Sequence, residues 1–160
     1  MPRQKRVDAA RGVYHALNRG NRRQTIFPKH DDYEAFLRVL EEGREKDPVE
    51  FYAYVLMPKH GHRVLRPAEN GRMGQRLRWL TATHPQRDHA HDHIAGKGHL
   101  CRAHFKSFPI EDNLHVLVVG RYVARNPVRV RLVIRSEAGN PGSLWEWVKG
   151  PKADRRLLLA

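Results

Sequence analysis

Several features are scarce in this chain of 160 residues. It has a single cysteine, Cys101, which excludes an intrachain disulfide framework and any metal site built from several thiolates. It has no apolar run approaching the ~18 residues that a membrane-spanning helix requires. Its first residues, MPRQKRVDAARG, lack the apolar core of a secretory signal. We therefore expect a cytoplasmic protein that does not bind a membrane.

Acidic residues are also few relative to basic ones. Lysine and arginine number 30 against 17 aspartate and glutamate residues, which gives a formal net charge of +13. Such an excess attracts a polyanion, so nucleic acid is the first candidate partner. With 40% apolar residues the chain can build one hydrophobic core. We therefore expect a single compact domain with basic ends.

The hydrophobic pattern predicts seven elements in the order strand, helix, strand, strand, helix, strand, helix. The segment 12–21 alternates like a strand, and 30–48 carries apolar residues at helical spacing after an acidic start. The segments 49–57 and 60–66 have strand composition and predict an antiparallel pair. The remaining elements are a basic helix at 72–83, a strand at 99–110 and a helix at 111–125 that stops near Pro127. This order predicts an α+β fold, a ferredoxin-like β-α-β-β-α-β antiparallel sheet with an added C-terminal helix.

One predicted strand contains two histidines that could hold a metal ion. Residues 55–66 read VLMPKHGHRVLR and include His60 and His62. Side chains at positions i and i+2 project from the same face of a strand, so both imidazoles can converge on one cation. Two further H-x-H pairs, within 89–93, lie in a polar loop or helix end where such side chains diverge. Spacing alone leaves the simpler interpretation open, in which His60 and His62 are polar residues on a half-exposed strand.

The predicted last helix offers further groups for such a site. Leu114, Val118, Tyr122 and Asn126 are spaced four residues apart, which places the phenol and the amide on one helix face. A tyrosine hydroxyl beside a cation can attack a phosphodiester. From the helix alone, Tyr122 is better explained as part of an apolar core stripe. Because the residue before a proline is disfavoured in helical geometry, Pro127 predicts that Asn126 lies at or beyond the helix end.

Four stretches of the sequence resemble the motifs of a known family in their order and spacing. They are GVYHALNRGNRRQTIF, YAYVLMPKHGH, GHLCRAHFKSFPI and RYVARNPVR. The family is the REP-associated tyrosine transposases, which are single-strand DNA endonucleases of the HUH superfamily. The resemblance implies a transposase domain over residues 1–135, with a ferredoxin-like sheet and the tyrosine on the added C-terminal helix. The segment 136–160 would then be a C-terminal tail with at most partial order.

The resemblance also implies roles for individual residues. His60 and His62 match the pair that holds a divalent cation, Mg²⁺ or Mn²⁺, and Asn126 matches the residue that completes this metal site. Tyr122 matches the nucleophile, which would cut single-stranded DNA at hairpin-forming repeats and form a 5′-phosphotyrosine link. A monomer is favoured over a homodimer. The residues expected to contact the hairpin DNA are Arg3, Lys5, Arg6, Asn18, Arg19, Asn21, Arg22 and Lys106.

Positions around the predicted catalytic residues depart from the family pattern. Gly61 stands where a bulky apolar residue is usual, and a glycine weakens a strand. Lys59 stands in place of asparagine, and Ala124 in place of glutamate. The other departures are Cys101, Ala103, His104, Val130 and Arg131. Altered supporting residues commonly lower activity even where the catalytic residues remain.

The sequence therefore supports three hypotheses. The first is an active, metal-dependent tyrosine transposase. The second is a catalytically weakened descendant that still binds hairpin DNA. The third is a metal binder that uses the histidine-rich segment 84–104, although its histidines lack the ligand spacing of a zinc site.

Overall fold

The computed structural model describes residues 7–20, 25–46, 49–92, 105–139 and 141–148, with the backbone alone for 84–92. Its elements are β1 (Val13–Arg19), α1 (His30–Lys46), β2 (Val49–Met57), β3 (His60–Pro67), α2 (Arg72–Asp92), β4 (Lys106–Ile110), α3 (Asn113–Arg129), a 3-10 turn (Ser136–Ala138) and α4 (Ser143–Val148). The first seven follow the predicted order. Among these described residues no helix is long and apolar enough to cross a membrane.

The four strands form one antiparallel sheet in the order β2-β3-β1-β4. The two strands that follow each other across the predicted hairpin, β2 and β3, are neighbours. In contrast, β1 is inserted between β3 and β4, so its partners come from distant parts of the chain. This is the strand order of a ferredoxin-like sheet, and the predicted α+β fold is confirmed.

Each face of the sheet carries its own core because side chains alternate along every strand. On one face, Tyr14 and Leu65 pack with Phe36 of α1 and Met73 of α2. On the opposite face, buried strand residues pack with Val123 of α3. The strand residues are Ala53, Val55, Met57, Val64 and Ile110, and Val13, Val116 and Val119 lie partly buried at the margin. The single layer of α3 leaves part of this second face accessible.

Two predicted helix ends are wrong. The helix predicted over 72–83 continues as α2 to Asp92, so the backbone of the histidine-rich stretch is helical as far as the description extends. The last helix does not stop near Pro127 but continues to Arg129. Pro127 removes one helical hydrogen bond, yet its ring is buried and a Cβ added at Gly139 would lie 2.9 Å from its Cγ. Tertiary packing of the Pro127 ring therefore outweighs the local tendency of a proline to end the helix. Of the strand predicted over 99–110, residues 99–104 lie outside the described residues.

The described part of the predicted tail packs on β2, an edge strand. Gly142 forms an isolated bridge with Val55, and Ser143 Oγ accepts a hydrogen bond of 3.0 Å from the backbone N–H of Tyr54. The Tyr54 hydroxyl in turn donates to the buried carboxylate of Glu146 on α4. The backbone groups and side chains of this segment therefore cover part of an edge that would otherwise be open to another strand.

Gly61 on β3 lies beside a buried polar pair on the α1 side of the sheet. Asn18 and Arg63 are only 2% and 1% exposed, and Arg63 Nη1 donates to Asn18 Oδ1 at 3.0 Å. A Cβ added at Gly61 would lie 3.0 Å from Leu56 Cδ2, 3.4 Å from Asn18 Oδ1 and 3.5 Å from Arg63 Nη2. The guanidinium, which also lies over the Phe36 ring, thus adjoins the place where a side chain at position 61 would go. The strand β3 is therefore closely packed at Gly61 even though this residue has no side chain.

We expect Gly61→Val to lower the free energy of unfolding by about 1–3 kcal/mol, because the added methyl groups overpack the Asn18 and Arg63 pair. Gly120→Ala is the control, since apart from the helix's own backbone and the adjacent residues nothing lies within 4 Å of a Cβ at that helical position. It should raise stability by about 0.5–1 kcal/mol. Urea denaturation of both variants tests this. A Gly61→Val protein as stable as the parent would show that position 61 has room to spare.

Candidate active site

Three histidines meet on the face of the sheet that α3 covers. His60 and His62 lie on this face of β3, with ring centroids 5.1 Å apart. His15 joins them from β1, where it is paired with Val64 and so lies diagonally opposite His62. The centroids of the His15 and His62 rings are 5.2 Å apart. The antiparallel pairing of β1 with β3 thus brings together residues more than forty positions apart.

The helix α3 adds an amide and a phenol to this cluster. The helix is capped by Asp112, the residue before its first turn, whose side chain accepts a hydrogen bond of 2.7 Å from the backbone N–H of His115. Because the helix runs through position 127, Asn126 lies inside it and one turn after Tyr122. Asn126 Nδ2 is 3.4 Å from His62 Nε2, and the Tyr122 ring centroid is 6.0 Å from that of His62.

Tyr122 is not part of a core stripe. The two residues that precede it in the same helical row, Leu114 and Val118, are 75% and 64% exposed, and Tyr122 itself is 39% exposed. The interpretation of Leu114, Val118 and Tyr122 as a core stripe is therefore wrong, because the apolar side of α3 that packs on the sheet is formed by Val116, Val119 and Val123. The Tyr122 ring remains close to the histidines and open to a molecule that approaches from solvent.

The environment keeps the histidines neutral. Burial, together with the charges of the neighbouring His15, His60, Arg63 and Arg19, lowers the pKa of His62 to about 3. Burial also lowers the pKa of His15, and burial together with the charge of Arg19 lowers that of His60, against a smaller opposing effect of a hydrogen bond with Asn126. Neutral imidazole is the form that coordinates a metal ion.

The donor set fits a divalent cation. His60 and His62 offer neutral imidazoles, and the Asn126 amide contacts both rings. Within the described parts of the chain, no three His, Cys, Asp or Glu side chains are grouped so that they could hold a metal ion. A third protein ligand from these residues would therefore be an amide oxygen, for which Asn126 is placed. Imidazole ligands suit Mn²⁺ and later transition metals better than Mg²⁺, which prefers oxygen.

Two of the residues predicted to contact DNA border the cluster. Arg19 is exposed at the end of β1, where it is paired with His60. Lys106 is exposed on β4, where it is paired with Leu17. Paired residues lie on the same face of a sheet, so both cations lie on the histidine face.

The other predicted DNA contacts are placed differently. Asn18 is buried on the opposite face, where it binds Arg63, and its predicted DNA contact does not fit that interior position. The remaining five are Arg3, Lys5, Arg6, Asn21 and Arg22, and they lie outside the described residues.

Three residues of the site were not singled out from the sequence. His15 lies at the centre of the cluster, and Phe108, which is 52% exposed, is paired with it on β4 with a ring centroid distance of 6.4 Å. The guanidinium of Arg129 lies 5.1 Å from the centroid of the Tyr122 ring. The sequence contained a signal for Arg129, because it follows Tyr122 by seven residues, which is about two helical turns. Pro127, however, predicted that the helix ends before Arg129. Finding the other two required the strand register.

Comparison with known proteins gives a family match and two similar structures. The model of a family described as IS200-like transposases matches residues 9–126. The structure of a REP-associated tyrosine transposase bound to a REP hairpin matches with a TM-score of 0.75 and 17% identity, over 89% of this chain and 82% of that one. A candidate transposase from Deinococcus radiodurans R1 matches with a TM-score of 0.52 and 13% identity, over 77% and 94%. No curated protein sequence matches significantly. At these identities the two structures show a shared fold.

We expect acid to destabilise the metal-free protein through His62. Its pKa is about 3 when folded, against 6.5 for the ordinary group, so the unfolded chain binds the proton first as pH falls. The stabilisation is complete above pH 6.5 and is lost as the pH falls towards 3, by on the order of 2–3 kcal/mol between pH 7 and pH 4. Urea denaturation in EDTA at several pH values measures this slope. His62→Gln should flatten it, whereas the exposed His115→Gln should not, and an unchanged slope in His62→Gln would contradict the assignment.

Proposed function

Because the chain belongs to the family of IS200-like transposases, we propose that it cleaves and rejoins single-stranded DNA at hairpin-forming repeats, with Tyr122 as the nucleophile. The observation that carries this proposal is the convergence of an exposed tyrosine, two neutral histidines and an amide on one accessible face of the sheet. The similarity in fold to a transposase bound to a REP hairpin supports hairpin DNA as the substrate. The net charge of +13 is also consistent with a polyanionic partner.

The covalent bonds that form and break in this reaction belong only to Tyr122 and to the DNA. The Tyr122 oxygen attacks the phosphorus of a phosphodiester and forms a bond to it, while the bond from phosphorus to the 3′ oxygen breaks. The DNA strand on the 5′ side leaves with a 3′-hydroxyl, which ends with the proton that the phenol gives up. The other strand remains attached as a 5′-phosphotyrosine. Attack by a 3′-hydroxyl on this ester reverses the step and rejoins DNA.

A bound divalent cation, Mn²⁺ or Mg²⁺, would polarise the phosphate oxygens and stabilise the charge that develops on them. We assign His60, His62 and Asn126 as the residues that would hold it. Burial lowers the pKa of both histidines and so keeps their imidazoles neutral. Arg129, beside the Tyr122 ring, is placed to contact the same phosphate or the one next to it.

The surface around Tyr122 fits a single strand of DNA. Arg19 and Lys106 are exposed cations on the histidine face and would contact phosphates. Phe108 is an exposed aromatic side chain on the same face, since it is paired with His15. Exposed aromatic rings beside cations are typical of surfaces that stack the bases of single strands. We therefore assign Phe108 to the nucleotides next to the cleaved bond.

The alternative function is a hairpin-binding module that no longer cuts. Two departures from the family pattern that favoured it lie away from the reacting groups. Gly61 adjoins the Asn18 and Arg63 pair on the opposite face of the sheet. Ala124 lines a cavity of about 650 Å³ between α3, β2 and α4, on the other side of α3 from Asn126. Neither change removes a group from the cluster, so we favour the active enzyme.

We expect Tyr122→Phe to abolish covalent attachment to DNA while binding stays within a few-fold, because only the attacking oxygen is removed. The substrate is a pool of single-stranded hairpins with randomised flanks, incubated with Mn²⁺ and analysed on denaturing gels. A label at the 3′ end should stay with the protein, and a label at the 5′ end should leave on a shortened strand. EDTA should remove the product.

The matched control for this experiment is Tyr52→Phe, which removes a hydroxyl from another partly exposed tyrosine. It should form the adduct at the parental level. An adduct that survives in Tyr122→Phe would exclude Tyr122 as the nucleophile. If the parent binds hairpins but forms no adduct with Mn²⁺ or Mg²⁺, the protein is the binding module.

We expect Phe108→Ala to weaken binding of a hairpin with a single-stranded flank by about 1–3 kcal/mol, because a stacked base loses its partner. Binding of the same hairpin without the flank should change little. Phe108→Trp should preserve both affinities, and Tyr52→Ala removes an exposed aromatic side chain from β2 as a control. Fluorescence anisotropy at one fixed salt concentration measures the four proteins. Equal losses for both DNAs would argue against stacking by Phe108.

A further inference from the structure

His62 contacts a protein side chain through each of its two ring nitrogens. Its Nδ1 lies 3.0 Å from Nε2 of His15, and its Nε2 lies 3.4 Å from Nδ2 of Asn126. A neutral imidazole carries one proton, so one nitrogen donates a hydrogen bond and the other accepts one. The position of that proton decides which nitrogen of His62 has a lone pair available to a cation.

The contact between the two histidines has the geometry of a hydrogen bond. Their ring planes are inclined by only 18°, and their centroids are 5.2 Å apart while the two nitrogens are 3.0 Å apart. Two rings with this combination of distances meet edge to edge, nearly in one plane, and are not stacked face to face. An N–H of one ring therefore points along the lone pair of the other.

The contact with Asn126 gives this hydrogen bond a direction. The amide nitrogen Nδ2 can only donate, so His62 Nε2 accepts from it. The proton of neutral His62 then lies on Nδ1 and is donated to His15 Nε2. His15 consequently carries its own proton on Nδ1. The order of donation is from Asn126 to His62 and from His62 to His15.

His15 is held firmly enough to impose this arrangement. It lies in β1, which is paired on one side with β3 and on the other with β4. Its ring is further bounded by Phe108 at 6.4 Å and by Tyr122 at 6.0 Å between centroids. A side chain whose strand is paired on both edges, and whose ring lies between two aromatic rings, can hold the ring of its neighbour in one orientation.

We propose that His15 is a positioning residue that holds the proton of His62 on Nδ1 and thereby keeps Nε2 as the nitrogen that binds a cation. Histidines that bind metals usually donate their second N–H to a carboxylate, a carbonyl or water. Here a neutral imidazole takes that place. The consequence for cation binding rests on the proposed function, whereas the proton position is a property of the metal-free protein.

The first test is the tautomer of His62 in metal-free protein, measured by ¹⁵N NMR of the labelled imidazoles. The parent should show the proton on Nδ1. His15→Phe keeps a flat ring without an acceptor, and in it the proton should move at least partly to Nε2. His15→Gln offers a carbonyl oxygen as acceptor and should retain the parental tautomer. A parent with the proton on Nε2, or a His15→Phe protein with an unchanged tautomer, would overturn the proposal.

The second test is the affinity for Mn²⁺, measured by titration followed by EPR without DNA. His15→Phe should weaken binding by about 10–100-fold and His15→Gln by much less. The exposed His115→Phe serves as a control for loss of a histidine. Equal weakening by His15→Phe and His15→Gln would assign His15 a packing role alone. If the parent binds no Mn²⁺, the proposed cation site fails, and the NMR measurement still decides the proton position.

Discussion

The pairing register of β1 with β3 is the constraint on which the site depends. Leu17 is paired with His62 and Arg19 with His60, so His15 and the two histidines of β3 share one face of the sheet. The same register places Asn18 beside Gly61, where it binds the Arg63 guanidinium on the other face. A shift by one residue would exchange the two faces and bury the site histidines in the wrong core. The geometry of the histidine cluster and the packing of the core are therefore set by a single set of backbone hydrogen bonds.

The helix α3 completes the site because tertiary contacts override its local sequence signal. Pro127 disfavours continuation of a helix, but its buried ring packs beside Gly139, and the helix extends through it. Asn126 is thereby held one turn from Tyr122 and against His62. The exposed apolar row that precedes Tyr122 would be unusual in a core helix, but it is expected on a surface that receives another molecule.

The effect expected of a departure from the family pattern changes once the faces of the sheet are known. In the sequence, Gly61 stands between the two candidate metal ligands, His60 and His62, and its lack of a side chain suggests weaker packing around them. In the structure its missing side chain belongs to the opposite face, where Arg63 and Asn18 are buried. The substitution and the buried pair are thus parts of one packing arrangement, and the histidine face keeps its groups.

The sequence by itself determined the order of the elements, the predicted fold and the pairing of His60 with His62, because hydrophobic period and strand alternation are local properties. It also placed Tyr122 and Asn126 on one helix face, since a spacing of four residues fixes that relation within a helix. It could not reveal His15, Phe108 or the interior position of Asn18, because these depend on which strand pairs with β1 and in which register. That pairing is decided by contacts between distant segments, and only the tertiary structure shows it.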